Sequence, residues 1–241
     1  MKPAQLLHLR QTPVTVVSAA VALVLAWLLV LVHLSRAPAP PTKVTIGLAV
    51  AWSIPFLSGV PILSRDSYAA LAQGEVMRRG WDPYVTPISR LGSHDLLAAA
   101  VDPNWRSSVP PYGPVALRLS AFAAWVGHVA AHPQVGLLVL RLAAVAGVVL
   151  ATVCICAMTP PHRRSVVIWL MVSPLTLLQL IGAVHWEGVL VGLLAASVLA
   201  MRRYRPVTAL ICMAAACCIK ITAGVLLAVL VLHVWQQPGR A

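Results

Sequence analysis

The chain has 241 residues, of which 60% are hydrophobic and only 10% charged, and its mean hydropathy is +0.86. A soluble domain carries about 25% charged residues, so a water-soluble globular enzyme is excluded, and disorder is excluded because it needs low hydrophobicity and high charge. The net charge of +12 comes from 18 Lys and Arg against six Asp and Glu. These basic residues sit in short groups between apolar runs, as in Arg163-Arg164 and Arg202-Arg203-Tyr204-Arg205. That pattern belongs to cytoplasmic loops and headgroup contacts, not to a nucleic-acid face. The class that remains is an integral membrane protein: all-α, a polytopic transmembrane helical bundle with room for about seven or eight spans.

In chain order, the first apolar run covers residues 14–34 and is long enough to span. A signal peptide has a shorter apolar region and a small-residue cleavage site, so the run is expected to be an uncleaved helix. A Pro-rich linker leads to a second span at 44–63, which Pro55 and Pro61 bend or end. Residues 1–63 are therefore read as two amino-terminal spans. From 64 to 113 no apolar run reaches spanning length, and Trp81, Tyr84, Trp105 and Tyr112 are aromatic residues of the interfacial kind. A connection of about 50 residues is beyond ordinary loop lengths and is expected to be functional. Its apolar residues give short interfacial helices one buried side. Residues 114–241 supply further transmembrane helices: a run at 119–140, bounded by Arg118 and Arg141 and interrupted by His128, His132 and Pro133, then one at 142–158 divided from it at Arg141, then 166–181, 189–201 and 207–235. Lys220 lies within the last run, which is either one long tilted helix or two short ones broken there. Gly192, Ala196 and Ala200 form a row of small residues suited to close helix packing.

The positive-inside rule places His162-Arg163-Arg164 and Arg202-Arg203-Tyr204-Arg205 in the cytoplasm and the turn holding His185-Trp186-Glu187 outside. If the acidic loop shares that outer face, an even number of crossings separates Asp66 from Glu187. Hydropathy offers three candidates, so one fails to cross, and the segment near 119–131 is the best suspect. Lys2 and Arg10 against Arg36 and Lys43 leave the amino-terminal orientation undecided. Cys154, Cys156, Cys212, Cys217 and Cys218 all lie in apolar runs and read as small packing residues.

Walker, GxSxG, HExxH and CxxC motifs are absent, so nucleotide hydrolysis, serine-type hydrolysis and zinc proteolysis have no support. Chemistry falls instead on the few acids. Asp66, Glu75, Asp82, Asp95 and Asp102 share the polar loop, and Glu187 stands at the edge of a later span beside His185. Carboxylates near a membrane are paired, hydrated or functional. For Asp66 the plain alternative is a salt bridge with Arg65 or a solvated helix end. For Glu187 it is an acid favourably placed at a helix N-terminus. Lys220, the cation deep in an apolar run, has snorkelling to a headgroup as its alternative.

Several of these residues fall in longer runs with a resemblance. The run from Ser64-Arg65-Asp66-Ser67-Tyr68 to Gln73-Gly74, then Gly80-Trp81-Asp82-Pro83-Tyr84, Trp105-Arg106 and Pro111-Tyr112-Gly113-Pro114, resembles the first extracytoplasmic loop of polyprenol-phosphomannose-dependent α-1,6-mannosyltransferases. These are GT-C glycosyltransferases that elongate lipoglycan mannan backbones in bacterial envelopes. Ser173-Pro174-Leu175 and Gly182-Ala183-Val184-His185-Trp186-Glu187-Gly188 are similar to that family's NPL…GGxHND/E segment, and Cys218-Ile219-Lys220-Ile221 to its LVKVP-like segment. Trp186 and Ser173 stand where the family has asparagine. Family members are longer, so the chain is expected to correspond to their amino-terminal half, truncated at the C-terminus.

The resemblance implies a GT-C-like bundle in the bacterial cytoplasmic membrane with its active face extracytoplasmic. It implies transfer of mannose from polyprenol phosphomannose to a lipid-linked mannoside acceptor, with membrane lipids as surroundings and a separately encoded carboxy-terminal half as a further partner. Asp66 matches the base that activates the acceptor hydroxyl. Arg65, Arg106 or Lys220 would neutralise the leaving phosphate. Tyr68, Asp82, Tyr84, Trp105 and Tyr112 are expected to bind substrate, the aromatic rings by stacking on sugars. His185 and Glu187 are expected to hold the acceptor sugar or a divalent cation; two ligands do not make a metal site, so metal dependence stays open. Two other classes stand beside this reading: a non-catalytic lipid-glycan-binding subunit or remnant half of a split enzyme, and, more weakly, a small-solute transporter, for which intramembrane acids and inverted repeats are lacking.

Overall fold

The structure, a computed structural model, describes residues 13–37, 40–57, 61 and 64–235. Every regular element among them is helical. The principal helices are α1 (Pro13–Arg36), α2 (Thr42–Leu57), α3 (Asp66–Arg78), α4 (Leu96–Ala100), α5 (Pro114–Val129), α6 (Pro133–Ala157), α7 (Arg164–Met171), α8 (Glu187–Arg202), α9 (Pro206–Ile219) and α10 (Gly224–Trp235). By length and composition two of them can cross a membrane, at Val14–Arg36 and Pro133–Ala157, and a third crossing is available if α7 and the π-helical segment Thr176–Gly182 count as one span bent by 62°. An all-helical, membrane-associated fold follows. Lys2 and Arg10, and residues 58–60, 62 and 63 of the expected second span, lie outside the described residues.

Two expected boundaries move, and an alternative left open is decided. The division at Arg141 is overturned: the break falls at residues 130–132, and Arg141 sits inside α6 with 3% of its surface exposed. Proline at the first position of α6 explains the shift, because it starts helices readily and ends the preceding one. The run at 166–181 is not one straight helix either, since Pro174 has no amide proton to continue α7. The alternatives at 207–235 resolve into two helices: Lys220 has extended backbone, φ −149° and ψ 123°, between α9 and a short turn at Ile221–Ala223.

The core is built on close backbone approach. α6 and α8 make the most extensive helix pair, with α3 and α5 next. Gly147 of α6 faces Gly188 and Gly192 of α8 so tightly that a Cβ on Gly192 would lie 2.5 Å from the Gly147 carbonyl oxygen. Gly192 and Ala200 of the small-residue row are buried and Ala196 is half-buried. Within a membrane such contacts replace the hydrophobic drive that lipid cannot supply. Because Ala144 and Gly147 meet Gly188 and Gly192 in the same order, α6 and α8 run parallel. Their basic-flanked ends, near Arg164 and Arg203, therefore lie together, and the turn at 183–186 lies at the other end.

The loop at 64–113 folds over that other end around a small core of its own, Ala69, Ala72, Val76, Ile88, Leu91, Ala98 and Val101. α3 is largely buried against α5, deeper than a helix merely resting on a membrane surface. Its C-terminus is clamped: Glu75 accepts from Arg78 Nε at 2.6 Å and from Arg79 Nε at 2.8 Å, and Arg79 Nη2 also reaches Asp95 at 2.6 Å. Burial pushes the Glu75 carboxyl up, but the hydrogen bonds and charges of Arg78 and Arg79 outweigh it and hold the group below its ordinary value. The clamp therefore contributes fully above the ordinary Glu pKa of about 4.3 and is lost as pH falls through the lower, folded value. Glu75→Gln is expected to destabilise the protein by about 1–3 kcal/mol at pH 7, and the gap from wild type should close as pH is lowered toward 3. Thermal unfolding of detergent-solubilised protein across that range measures it.

Candidate active site

Asp66 is the first residue of α3, and its backbone N–H donates to Ser64 Oγ at 3.0 Å. Its carboxylate is 40% exposed and opens onto a cavity of about 470 Å³ lined by Pro61, Ser64, Arg65, Asp66, Asp102 and Trp105. The other loop acids are spent on structure. Glu75 holds the arginine clamp; Asp82 Oδ1 accepts from the Tyr84 N–H at 2.9 Å; Asp95 caps α4; Asp102 accepts from the Asn104 N–H at 3.0 Å. Asp66 accepts no hydrogen bond among the described residues, so its lone pairs are available to a ligand.

His185 comes to this carboxylate from the far side of the sequence, with Nε2 3.9 Å from Asp66 Oδ2. Nε2 is buried and has no hydrogen-bond partner. The preceding turn aims it. Val184 has φ +60°, a conformation that disfavours a β-branched residue, and the His185 N–H donates back to the Leu180 carbonyl at 3.1 Å, closing a Schellman-type cap on the π-helical segment. Strain of this kind gathers at sites where a side chain must be held in one direction.

Glu187 and Lys220 complete the inner wall. Lys220 Nζ donates to Glu187 Oε1 at 2.5 Å, with Glu187 as the first residue of α8. Lys220 is thus paired rather than snorkelling. The extended backbone that breaks the last apolar run also receives the loop: the Gly113 N–H donates to the Ile219 carbonyl at 2.8 Å, and a Cβ at Gly113 would collide with the Cys218 carbonyl. Tyr112 packs edge-on against Trp186 with ring centroids 6.4 Å apart. Burial first, then the negative charges of Glu187 and Asp66, push its phenol up to about 12, so it stays a hydrogen-bond donor at neutral pH.

Asp66, Arg65 and Trp105 share one cavity, and His185 lies behind Asp66, 3.9 Å from its carboxylate, without lining that cavity. Tyr112, Glu187 and Lys220 form the adjoining wall, while Tyr68 is half-buried between the loop core and the inner core. Asp82 and Tyr84 line a separate cavity of about 380 Å³ with Trp81 and Arg118, and the Tyr84 hydroxyl donates to the Tyr112 carbonyl at 3.0 Å. Arg106 is engaged in the loop itself, donating from Nε to Val101 O and from Nη2 to Ala99 O, both at 3.1 Å. Of the three cations considered for phosphate, Arg65 alone faces the Asp66 cavity without a partner among the described residues. No group of three or more His, Cys, Asp and Glu side chains converges among the described residues.

The segments that meet at this site, 64–68, 111–114, 182–188 and 218–221, are the ones that carry the resemblance. A family model described as α-(1→6)-mannopyranosyltransferase, N-terminal domain, matches residues 3–236. The chain belongs to this family. Among curated mannopyranosyltransferases, it is 33% identical over 189 residues to α-(1→6)-mannopyranosyltransferase A of Mycobacterium tuberculosis, covering 77% of this chain and 36% of the relative. It is 36% identical over 154 residues to α-(1→6)-mannopyranosyltransferase B of Corynebacterium glutamicum, covering 60% of this chain and 24% of that relative. The A protein of C. glutamicum is 27% identical over 185 residues, covering 73% of this chain and 36% of the relative. The chain thus spans about a third of the length of the mannopyranosyltransferases it matches. No solved structure matches it.

Sequence reasoning did not single out Arg141, which holds the end of the π-helical segment before His185, or Trp186, whose ring meets Tyr112. A lone arginine in an apolar stretch was the available signal for the first, and it reads equally well as a span boundary. Trp186 announced itself only as a departure from the family's asparagine, with no indication that its ring would meet Tyr112.

Proposed function

We propose that this chain forms the base-bearing part of a polytopic, GT-C-type membrane mannosyltransferase that moves mannose from polyprenol phosphomannose to a lipid-linked mannoside acceptor at the extracytoplasmic face. The observation that carries the reading is the meeting of the uncommitted Asp66 carboxylate with the unpartnered His185 Nε2, 3.9 Å apart, beside a cavity open to a ligand. A carboxylate that accepts no internal hydrogen bond is free to take a proton from a hydroxyl held in that cavity.

In this reading Asp66 removes the acceptor hydroxyl proton as the new bond to the mannose anomeric carbon forms and the bond from that carbon to the phosphate oxygen breaks. The electron pair leaves on the polyprenyl phosphate, whose growing negative charge Arg65 neutralises. His185 donates to or accepts from a sugar hydroxyl between itself and Asp66. Tyr112, protonated at neutral pH, donates a further hydrogen bond, and Trp105 offers an apolar ring face to a sugar. The Glu187–Lys220 pair fixes the wall opposite, leaving little net charge there to compete with the substrate phosphate. Family membership supports mannose as the sugar, and the apolar helices support a donor whose tail stays in lipid.

A membrane assay with labelled polyprenol phosphomannose and a mannoside acceptor tests this, using the chain alone and the chain extended by the remaining length of a relative. Transfer in either preparation is the expected result. Transfer only in the extended form would assign this chain the role of one half of a split enzyme. Absence of transfer in both, with folded protein and intact donor, would sink the reading in favour of a lipid-glycan-binding subunit.

A further inference from the structure

Arg141 is buried in the middle of α6, an apolar helix long enough to cross a membrane. A guanidinium there is costly, and such residues persist when they serve a function and find partners. Its partners include backbone carbonyls from two separate segments. Nη1 donates to Leu57 O at 3.1 Å, Nε to Ile181 O at 3.2 Å and Nη2 to Gly182 O at 3.3 Å. Leu57 is the last described residue of α2, and its carbonyl has no intrahelical donor because the residue four on is Pro61; Ile181 and Gly182 are the last two of the π-helical segment. Terminal carbonyls of this kind lack intrahelical donors and carry the negative end of the helix dipole. One planar cation therefore caps two helix C-termini at once, a task that suits its forked donors and that lysine, a single point, cannot match.

Both capped segments are near the site in sequence. Asp66 is the ninth residue after Leu57, and His185 the third after Gly182. α6 itself contributes no residue to the cavity at Asp66. We propose that Arg141 is a positioning residue: by tying the end of α2 to the end of the π-helical segment it sets the separation of Asp66 and His185. This rests on the proposed mannosyl transfer as the reaction that needs the separation.

Two variants in lipid nanodiscs test the proposal. Arg141→Lys keeps the charge but loses the fork, and Arg141→Gln keeps a smaller amide donor. Hydrogen exchange is read across the whole chain, and turnover is read as kcat and KM separately. The expected result for Arg141→Gln is faster exchange confined to residues 180–186 and 64–70, with the α8–α9 pair unchanged. A small displacement of reacting groups lowers turnover by about 100-fold, so kcat should fall on that scale while donor KM holds, with partial recovery in Arg141→Lys. Exchange unchanged at both segments would overturn the positioning role. So would loosening spread evenly over the protein, or full turnover despite local loosening, each of which marks a purely structural arginine. Lack of transfer by the wild-type protein would count against the reaction instead, and the exchange pattern would then decide the positioning role by itself.

Discussion

Asp66→Asn is expected to lower mannosyl transfer by about 10²- to 10⁴-fold, the range associated with removing a positioned general base. The substitution is close to isosteric and leaves the backbone N–H of residue 66 on Ser64 Oγ, so the start of α3 should survive. Nothing in the fold depends on the carboxylate: it accepts no internal hydrogen bond among the described residues, and its side chain is 40% exposed. Stability should therefore stay within about 0.5 kcal/mol of wild type, as for surface changes away from special features. The contrast with Glu75→Gln is informative, because that acid is locked between two arginines and its loss should appear in unfolding before it appears in turnover. Initial rates in the donor–acceptor membrane assay, normalised to folded protein, give the measurement. Undiminished turnover in Asp66→Asn would remove Asp66 from the base role and return attention to His185.

Gly147→Val should cost the fold itself. A Cβ at Gly147 would fall inside the Gly188 carbonyl group, and the reciprocal contacts are also closed: a Cβ on Gly188 would lie 2.9 Å from the Ala144 carbonyl oxygen. Backbone cannot step aside as a flexible side chain can, so α6 and α8 must part. Forcing atoms into a packed core costs about 1–3 kcal/mol and occasionally more, and the separation here breaks the largest helix pair in the protein. A loss at or above the upper end of that range is expected, seen as a drop in monodisperse protein on size exclusion and a lowered Tm. Gly47→Ala supplies the control. A Cβ at Gly47 in α2 meets nothing within 4 Å, and the helix gains about 1 kcal/mol of propensity. If both variants behave alike, the close approach of α6 and α8 is not what holds the bundle.

Hydropathy located most of the helices, because an apolar run of sufficient length has little choice but to satisfy its own backbone in a helix. It went astray at Arg141 and left two alternatives open at Lys220, for one cause. Arg141 and Lys220 are both cations inside apolar runs, and a one-dimensional reading assigns either of them to a boundary or a headgroup. In the folded chain they differ completely. Arg141 continues its helix because carbonyls from two other segments absorb its charge, whereas Lys220 breaks its helix and pairs with Glu187. Whether a charge is tolerated in mid-helix depends on what lies across from it, and only long-range packing decides that. Arg106, one of three cations expected at the phosphate, shows the same limit: it has the right chemistry, but its own loop consumes its donors.

From the amino-acid sequence by itself came the membrane class, the acidic loop at 64–113, the turn at His185-Trp186-Glu187 and, through resemblance, the family. These are properties of composition, run length and local motif, legible without knowing what touches what. The selection among the six acids was tertiary. Glu75, Asp82, Asp95, Asp102 and Glu187 each found a donor in the folded chain, and Asp66 did not. A carboxylate's availability is set by the hydrogen bonds it already makes, and those form only once residues distant in sequence have been brought side by side.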